Sequence, residues 1–222
     1  MNVENMGLGR IAMPDANDKR FLMRTILAQT PSVRTSRYWS ASGWWGDQGN
    51  TSQCVGYSWA HWVEDGPITQ KGKAPIVPPL DIYTEAQKID AFPGEEYDGT
   101  TVRAGAKALQ DKGYIFQYTW AWDVETVVQA LLEKGPVVVG TEWTNDMFKP
   151  NIDTAIITPT GNSAGGHAYL LNGVNVKKKL IRIKNSWGRA WGNKGHAFIS
   201  FDDMDKLIKN GGEACLAIEI KK

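Results

Sequence analysis

The hydrophobic pattern of the chain changes at Gly113. Before this residue, apolar side chains recur with helical spacing, as in residues 101–112, where Val102, Ala106 and Leu109 share one face. After it, short runs that alternate or are rich in β-branched residues predict strands. Helices followed by a mostly antiparallel sheet are typical of an α+β fold in two lobes, and a groove between lobes is a natural place for a site.

Local signals predict the individual elements. Helices are expected at residues 54–63, 84–91, 101–112 and 202–209, and between the capping residue Asp123 and the helix-ending pair Gly135-Pro136. Strands are expected at residues 114–120, 137–143, 167–174, 180–184, 196–201 and 215–220. We therefore divide the chain into an N-terminal extended segment or strap (residues 1–40), a helical lobe (41–113) and a β-rich lobe (114–222).

Charge and composition exclude several classes of partner. The 222 residues carry 25 basic and 24 acidic side chains, a net charge of +1, so nothing favours binding to nucleic acid or a membrane. No secretory signal begins the chain, and no run is apolar enough to span a bilayer. The two cysteines can form at most one disulfide bond, so we expect a soluble protein in an intracellular or otherwise reducing environment. No cofactor or metal ion is expected, and the oligomeric state is open.

Cys54 is the candidate nucleophile. It lies where a polar loop with several glycines meets the predicted helix at residues 54–63. The free N–H groups and partial positive charge of a helix start favour an ionised thiol, so we expect Cys54 to ionise more easily than an ordinary cysteine. The other cysteine, Cys215, is expected to be a buried strand thiol.

A nucleophilic thiol needs a base, and His167 is the best placed of the three histidines. It follows Gly165-Gly166, which allow another backbone to approach closely, and it opens an apolar strand that would hold it rigidly. His61 lies seven residues after Cys54, too far along the helix to touch it, and is expected to be structural. His196 is expected to be a partly exposed strand residue.

Further side chains can complete such a site. Asn185 follows His167 by 18 residues at the end of the next strand, where its neutral amide can hold the imidazole ring and still allow it to become charged. Trp187 can shield that hydrogen bond from water. Gln48 lies six residues before Cys54 and can donate a side-chain N–H to a developing oxyanion, beside the backbone N–H of Cys54.

Three stretches of the chain resemble the papain family of cysteine peptidases. They contain a glutamine six residues before the cysteine (DQGNTSQCVGYSWA), a Gly-His-Ala strand start (GGHAYLLNGVN) and an Asn-Ser-Trp-Gly segment followed by a second Trp-Gly (IKNSWGRAWGNKGHAFIS). The resemblance covers about residues 43–222. It implies the two-lobed papain-like fold, with the cysteine helix in the left, helical lobe and the histidine and asparagine on the right-lobe sheet.

The resemblance also implies a role for each site residue. Cys54 would be the nucleophile and His167 its base and later acid. Asn185 would orient the ring, and Gln48 would be the oxyanion donor. By the same resemblance, the candidate substrate-binding residues lie beside the nucleophile, around the histidine and on the strand after Gly-Pro: Gln53, Gly165, Gly166, Ala168, Trp143 and Trp187. No preferred substrate side chain follows from them.

The chain departs from the family pattern beside the nucleophile. Thr51 stands where the family has its first cysteine, and Val55 stands where it has a tryptophan. The usual disulfide bonds of the left lobe therefore cannot form.

The leading hypothesis is a thiol peptidase that cuts a peptide or protein substrate through an acyl-enzyme intermediate, as an endopeptidase or an exopeptidase. A transpeptidase, amidase or acyltransferase would use the same residues with another acceptor, so this alternative stays open. A catalytically inactive papain-like protein that binds peptides or serves a structural role is the third hypothesis. The presence of all the site residues counts against it.

The role of residues 1–40 is open. Only 53 residues precede Cys54, too few for the long inhibitory propeptide of lysosomal and plant relatives in addition to the start of a mature domain. The segment can be a short built-in inhibitor or a strap across the right lobe. Within it, the run GLGRIA matches the letters of a dinucleotide-binding fingerprint, which we reject because no strand precedes it and no βαβ pattern surrounds it.

Overall fold

The computed structural model describes residue 3 and residues 6–27, 32–40, 43–67, 75–92 and 97–220. Its helices are α1 (Cys54–Asp65), α2 (Pro79–Ile89), α3 (Val102–Asp111), α4 (Val124–Glu133) and α5 (Phe201–Lys209). Its strands are β1 (Ser36–Tyr38), β2 (Ile115–Ala121), β3 (Val137–Thr144), β4 (Ser163–Asn175), β5 (Leu180–Lys184), β6 (His196–Ser200) and β7 (Glu213–Glu219). Over these residues, no helix is long and apolar enough to cross a membrane.

The helix ends follow local capping chemistry. The side chain of Thr101 accepts a hydrogen bond from the third residue of α3, and that of Asp123 does the same for α4. The largest shift from prediction is in α2, expected at residues 84–91 but already begun at Pro79. A proline at this position has the backbone dihedral that a helix start needs and no N–H to leave unpaired.

The N-terminal stretch contains more regular structure than expected. Two 3₁₀ turns, Ala16–Arg20 and Met23–Ile26, interrupt its backbone, and β1 pairs with β4. Asp15 caps the first turn by accepting the N–H of Asn17, so the backbone is not extended throughout. Residues 1–2, 4–5 and 28–31 of this stretch lie outside the described residues.

The strands form one antiparallel sheet in the order β2-β7-β3-β4-β5-β6, with β1 beside β4. At 13 residues, β4 is longer than its neighbours β3 and β5. Leu170 of β4 lies opposite Lys184 of β5, so the residues just before Leu170 lie beside those just after Lys184. This register brings the start of β4 close to the end of β5. The α+β prediction is confirmed.

The helix α1 lies at the centre of the helical lobe. Eleven of its twelve residues are buried, and it packs on α2, α3 and β4. Glycines allow this close packing: a Cβ at Gly56 would lie 2.3 Å from the carbonyl oxygen of Pro79, and one at Gly105 would lie 2.3 Å from the Trp59 ring. The sequence from residue 54 onwards therefore forms a helix with almost no solvent-facing side.

A buried ion pair joins the helical lobe to the sheet. Lys184, at the end of β5, donates to Asp65 Oδ2 at 3.0 Å, and the same oxygen accepts from Asn172 Nδ2 at 2.9 Å. The side chains of Lys184 and Asp65 are 1% and 0% exposed. Breaking such a pair is costly because the remaining charge stays buried without a partner.

We expect Lys184→Met to lower the free energy of unfolding by about 3–5 kcal/mol, because the Asp65 carboxylate would lose its cation while remaining buried. The matched control is Lys88→Met, since Lys88 pairs with Glu85 at the surface and its side chain is 62% exposed. Urea unfolding of both variants measures the difference. A loss of similar size in the two would contradict a special role for the buried pair.

Candidate active site

Cys54 is the first residue of α1 and is completely buried. The backbone N–H groups of Ala168 and Val55 form hydrogen bonds with its sulfur. Gln53, the residue before the helix, does not cap it with its side chain. Since Ala168 follows His167 in β4, the sulfur lies against the backbone of the strand that carries the histidine.

Aromatic side chains enclose the imidazole ring of His167. Trp187 stacks on it, with ring centroids 4.6 Å apart and an angle of 16° between the planes. Trp143 meets it edge-on, with centroids 4.9 Å apart and an angle of 74°. In the sheet, His167 lies opposite Thr141 of β3. These contacts leave the ring completely buried and fix its orientation.

One hydrogen bond sets the protonation of the ring. His167 Nε2 lies 2.9 Å from Asn185 Oδ1, and the same oxygen accepts the backbone N–H of Ser186 at 2.8 Å. Because this oxygen is the acceptor in both bonds, Nε2 carries the proton and donates it, which leaves Nδ1 unprotonated in the neutral ring. Nδ1 is buried and has no hydrogen-bond partner among the described residues. It is therefore the ring atom that can take up a proton.

Burial keeps both reactive groups uncharged in this form. It raises the pKa of Cys54 to about 12, although hydrogen bonds from backbone N–H groups and the positive charge of Arg10 act in the opposite direction. It lowers the pKa of His167 to about 4, against the effect of the hydrogen bond to Asn185. Cys54 therefore does not ionise as easily as expected, because the loss of water raises the pKa of the thiol more than the helix start lowers it.

Gln48 is held by the segment that follows Asn185. Its backbone N–H donates to the carbonyl oxygen of Ser186 at 2.7 Å, and its Oε1 accepts from Ser186 Oγ at 2.5 Å. Its Nε2 then donates to the carbonyl oxygens of Thr51, at 2.6 Å, and Gly7, at 3.1 Å. Ser186 therefore fixes the amide with its nitrogen toward Gly7.

Residues 6–11, which we call the groove segment, lie between the two lobes. The carbonyl oxygen of Gly7 accepts from Gln48 Nε2 and from Trp187 Nε1, each at 3.1 Å. The N–H groups of Gly9 and Arg10 both donate to the carbonyl oxygen of Gly166 at 3.0 Å, one residue before the histidine. The segment is therefore bound on both sides of the predicted site.

The glycines of the groove segment are required by close packing. A Cβ at Gly7 would lie 2.0 Å from the carbonyl oxygen of Thr51, and one at Gly9 would lie 2.2 Å from that of Ser52. Farther along, Thr100 exchanges backbone hydrogen bonds with Gly9 and Ile11, at 3.0 and 2.9 Å. The glycines of GLGRIA thus allow one backbone to pass over the loop that leads to Cys54.

Most of the predicted substrate-binding residues lie near the groove segment. Gly165 and Gly166 are half-buried, and a Cβ at Gly165 would lie 3.2 Å from a side-chain carbon of Leu8. Gln53 is half-buried as well. Trp187 lies under Gly7, and Ala168 is buried beside Cys54.

Trp143 has a different position. Its side chain is completely buried and packs on Tyr169 and Trp187 as well as His167. The expected contact with substrate does not fit this position, because the indole has no exposed surface. Trp143 supports the histidine ring from below.

The other two histidines are bound within the fold. His61 is completely buried, and its Nε2 accepts the backbone N–H of Gly46 at 3.2 Å. The ring of His196 meets Trp45 edge-on at 4.3 Å. Among the described residues, no group of three or more histidine, cysteine, aspartate or glutamate side chains could hold a metal ion.

Sequence patterns missed several neighbours of the site. Ser186 orients Gln48, and its position next to Asn185 in the chain could have indicated that it lies at the site. No sequence pattern indicates the path of the groove segment. None indicates the ion pair between Arg10 and Glu213 either, because these residues are 203 positions apart in the chain.

Comparison with known proteins identifies relatives of the chain. The sequence model of the papain family cysteine proteases matches residues 45–211. An uncharacterized peptidase C1-like protein of Acanthamoeba polyphaga mimivirus is 22% identical, and the match covers 68% of this chain. The chain spans 62% of the length of that curated relative.

Solved structures share the fold. Xylellain, a cysteine protease from Xylella fastidiosa, is 21% identical with a TM-score of 0.75, and the match covers 98% of this chain and 97% of xylellain. Digestive procathepsin L 3 of the Tenebrio molitor larval midgut is 18% identical with a TM-score of 0.67, covering 96% of this chain and 76% of that one. These similarities concern the arrangement of helices and antiparallel sheet described above. Because the family match also spans most of the sequence, this chain belongs to the papain family of cysteine proteases.

Proposed function

We propose that this chain hydrolyses peptide bonds through a thiol site made of Cys54, His167, Asn185 and Gln48. The observation that carries the proposal is the state of the His167 ring, whose Nε2 is bound by Asn185 while Nδ1 is buried without a partner. The thiol of Cys54 contacts the backbone of Ala168, the residue that follows His167. An unpartnered ring nitrogen at this place is a suitable acceptor for the thiol proton.

In the proposed reaction, Nδ1 of His167 takes the thiol proton and the sulfur of Cys54 attacks the carbonyl carbon of the peptide. Asn185 keeps the ring oriented. Because its amide is neutral, it leaves the imidazolium able to protonate the departing amine. Water then hydrolyses the thioester on Cys54, with His167 acting as the base.

The oxyanion that develops during this attack needs hydrogen-bond donors. We assign this role to Gln48 Nε2 and the backbone N–H of Cys54. In support, Gln48 Nε2 already donates to a carbonyl oxygen from the groove segment, that of Gly7. Ser186 holds the amide in this orientation without using its N–H groups.

Peptide or protein substrates follow from the family. We propose that they bind in the groove between residues 41–113 and residues 114–222, which act as the two lobes of one catalytic unit. Gln53, Gly165 and Gly166 would line this groove, with Trp187 beneath it and Ala168 beside the nucleophile. Gly166 is suited to this role because it admits the backbone of the groove segment closely: a Cβ at this position would lie 2.1 Å from the carbonyl oxygen of Arg10.

The groove segment makes the observed form a closed one, and we infer that activity requires it to leave. The carbonyl oxygen of Gly7 accepts a hydrogen bond from the side-chain amide of Gln48, and burial keeps Cys54 and His167 uncharged. One of the structurally similar proteins is a procathepsin, and the similarity covers 96% of this chain. Both observations support a short built-in inhibitor over a simple strap.

We expect Gly7→Val to open the groove, since a Cβ at this position would lie 2.0 Å from the Thr51 carbonyl oxygen. Water would then reach Cys54 and bring its pKa down from about 12. Turnover of a peptide substrate at pH 7 should rise about tenfold or more. Alkylation of Cys54 by iodoacetamide at pH 7, followed by mass spectrometry, should also become faster.

The matched control for this variant is Ala12→Val, because Ala12 belongs to the same stretch but is exposed. It should change neither turnover nor labelling. If Gly7→Val also leaves both unchanged while the protein remains folded, the groove segment does not control access to Cys54.

Cys54→Ala should lower kcat/KM by about a thousandfold or more when tested in the chain that carries Gly7→Val, because no other group can form the acyl intermediate. Cys215→Ala is the matched control, since the only other thiol is also completely buried and should not affect turnover. Hydrolysis of a fluorogenic peptide measures both. Peptide cleavage that survives the loss of Cys54 would exclude the proposed mechanism.

A further inference from the structure

The indole of Trp45 donates a hydrogen bond to the backbone of Asn185. Its Nε1 lies 3.1 Å from the carbonyl oxygen of Asn185. On the other side of the same residue, the backbone N–H of Asn185 donates to the carbonyl oxygen of Gly195 at 3.2 Å. Partners from two distant parts of the chain therefore fix the backbone of the residue that binds the His167 ring.

The side chain of Asn185 depends on this fixed backbone. Its Oδ1 accepts from His167 Nε2 and from the backbone N–H of Ser186. Its Nδ2 is buried and has no hydrogen-bond partner among the described residues. Because no partner on Nδ2 opposes a movement of the amide, a shift of the Asn185 backbone would also shift the oxygen that orients the imidazole ring.

Several contacts hold the indole of Trp45 in place. The ring of His196 meets it edge-on, with centroids 4.3 Å apart and an angle of 85° between the planes. Lys184 Nζ lies 4.8 Å from the centroid of the indole, and Cζ of Arg189 lies 5.3 Å from it. Cations over an indole face are attracted to it. A Cβ at Gly195 would lie 2.3 Å from the ring, so glycine is needed for this approach.

Trp45 also begins the stretch of chain that carries Gln48, three positions later. The backbone between them pairs with the segment that follows Asn185, since the carbonyl oxygen of Gly46 accepts the N–H of Gly188 at 3.2 Å. The hydrogen bond from Trp45 therefore lies at one end of the contact between the glutamine and asparagine segments. The indole N–H is the group that joins this end of the contact to Asn185.

We propose that Trp45 is a positioning residue for the reaction, and that its hydrogen bond to Asn185 sets the orientation of the His167 ring. This inference rests on the proposed function and adds a residue to its site. The orientation decides where Nδ1 lies relative to the thiol of Cys54, and a displacement of about 1 Å at reacting groups can cost about a hundredfold in rate. Loss of the indole N–H should therefore slow the chemical step more than it weakens substrate binding.

The first test needs no catalysis. In the full chain with ¹⁵N-labelled histidine, the proton on His167 Nε2 gives an NMR resonance, which is identified by its loss in His167→Ala. The hydrogen bond to Asn185 shifts this resonance downfield and slows exchange of the proton with water. Trp45→Phe keeps an aromatic ring but removes the N–H. We expect the resonance to move upfield and exchange to become about tenfold faster, the size expected for the loss of one hydrogen bond.

Trp44→Phe is the matched control for this measurement. Trp44 is the neighbouring tryptophan, is half-buried like Trp45 and stacks on Tyr57. The control should leave the resonance and its exchange rate unchanged. An unchanged resonance in folded Trp45→Phe, or an equal change in the two variants, would overturn the proposal.

The second test measures turnover of a fluorogenic peptide in the chain that carries Gly7→Val. Adding Trp45→Phe should lower kcat about tenfold and change KM by less than about twofold, because the residue acts through Asn185. Adding Trp44→Phe should change neither constant. Near-ultraviolet circular dichroism checks that each variant is folded. A higher KM with an unchanged kcat would contradict a positioning role and indicate a contact with substrate instead.

The two measurements separate this inference from the proposed function. If Trp45→Phe changes the His167 resonance as expected but chains with Gly7→Val cleave no peptide, the reaction is wrong and the control of the ring by Trp45 stands. If Trp45→Phe does not fold, 3-benzothienylalanine in place of Trp45 exchanges the indole N–H for sulfur at nearly the same shape. It should change the resonance and kcat in the same way, and values equal to those of the parent chain would overturn the proposal.

Discussion

The packing of the start of α1 against β4 is the contact on which the candidate site depends. It places the sulfur of Cys54 against the backbone of Ala168, directly after His167. The same contact excludes water from both groups, and this burial raises the pKa of the thiol and lowers that of the imidazole. Close packing therefore positions the reacting groups and, in the closed form, keeps them uncharged.

The groove segment also excludes water from the site, and it binds groups that the proposed reaction needs. Gly7 accepts the N–H of Gln48 that would bind an oxyanion, and Gly9 passes within contact of the loop before Cys54. The segment holds these places with backbone hydrogen bonds, with the ion pair between Arg10 and Glu213, and with the buried side chain of Met6. A loss of these contacts would return both water and a free donor to the site.

Two buried ion pairs serve different purposes in this arrangement. The pair of Asp65 and Lys184 lies between α1 and β5, so it belongs to the folded lobes themselves. The pair of Arg10 and Glu213 lies between the groove segment and β7. The cost of separating buried charges stabilises the lobe contact in the first case. In the second, it stabilises the contact of the groove segment with the sheet.

Much of the fold and of the candidate site could be predicted because the signals are local. The helical spacing of residues 101–112 predicted α3, and the capping residue Asp123 predicted the start of α4. The strand spacing placed Asn185 within reach of His167, and the structure shows the two side chains 2.9 Å apart. The catalytic roles of these residues stay predictions.

The sequence by itself determined the five helices, the strands from β2 to β7, their order along the chain and the chemical types available for a site. Only the tertiary structure decided that Arg10 meets Glu213, that Trp143 lies beneath the histidine and that Cys54 is uncharged in the closed form. The physical reason is that capping and periodicity act over a few residues. Ion pairing, burial and pKa depend on which distant segments share the same space and on how much water remains between them.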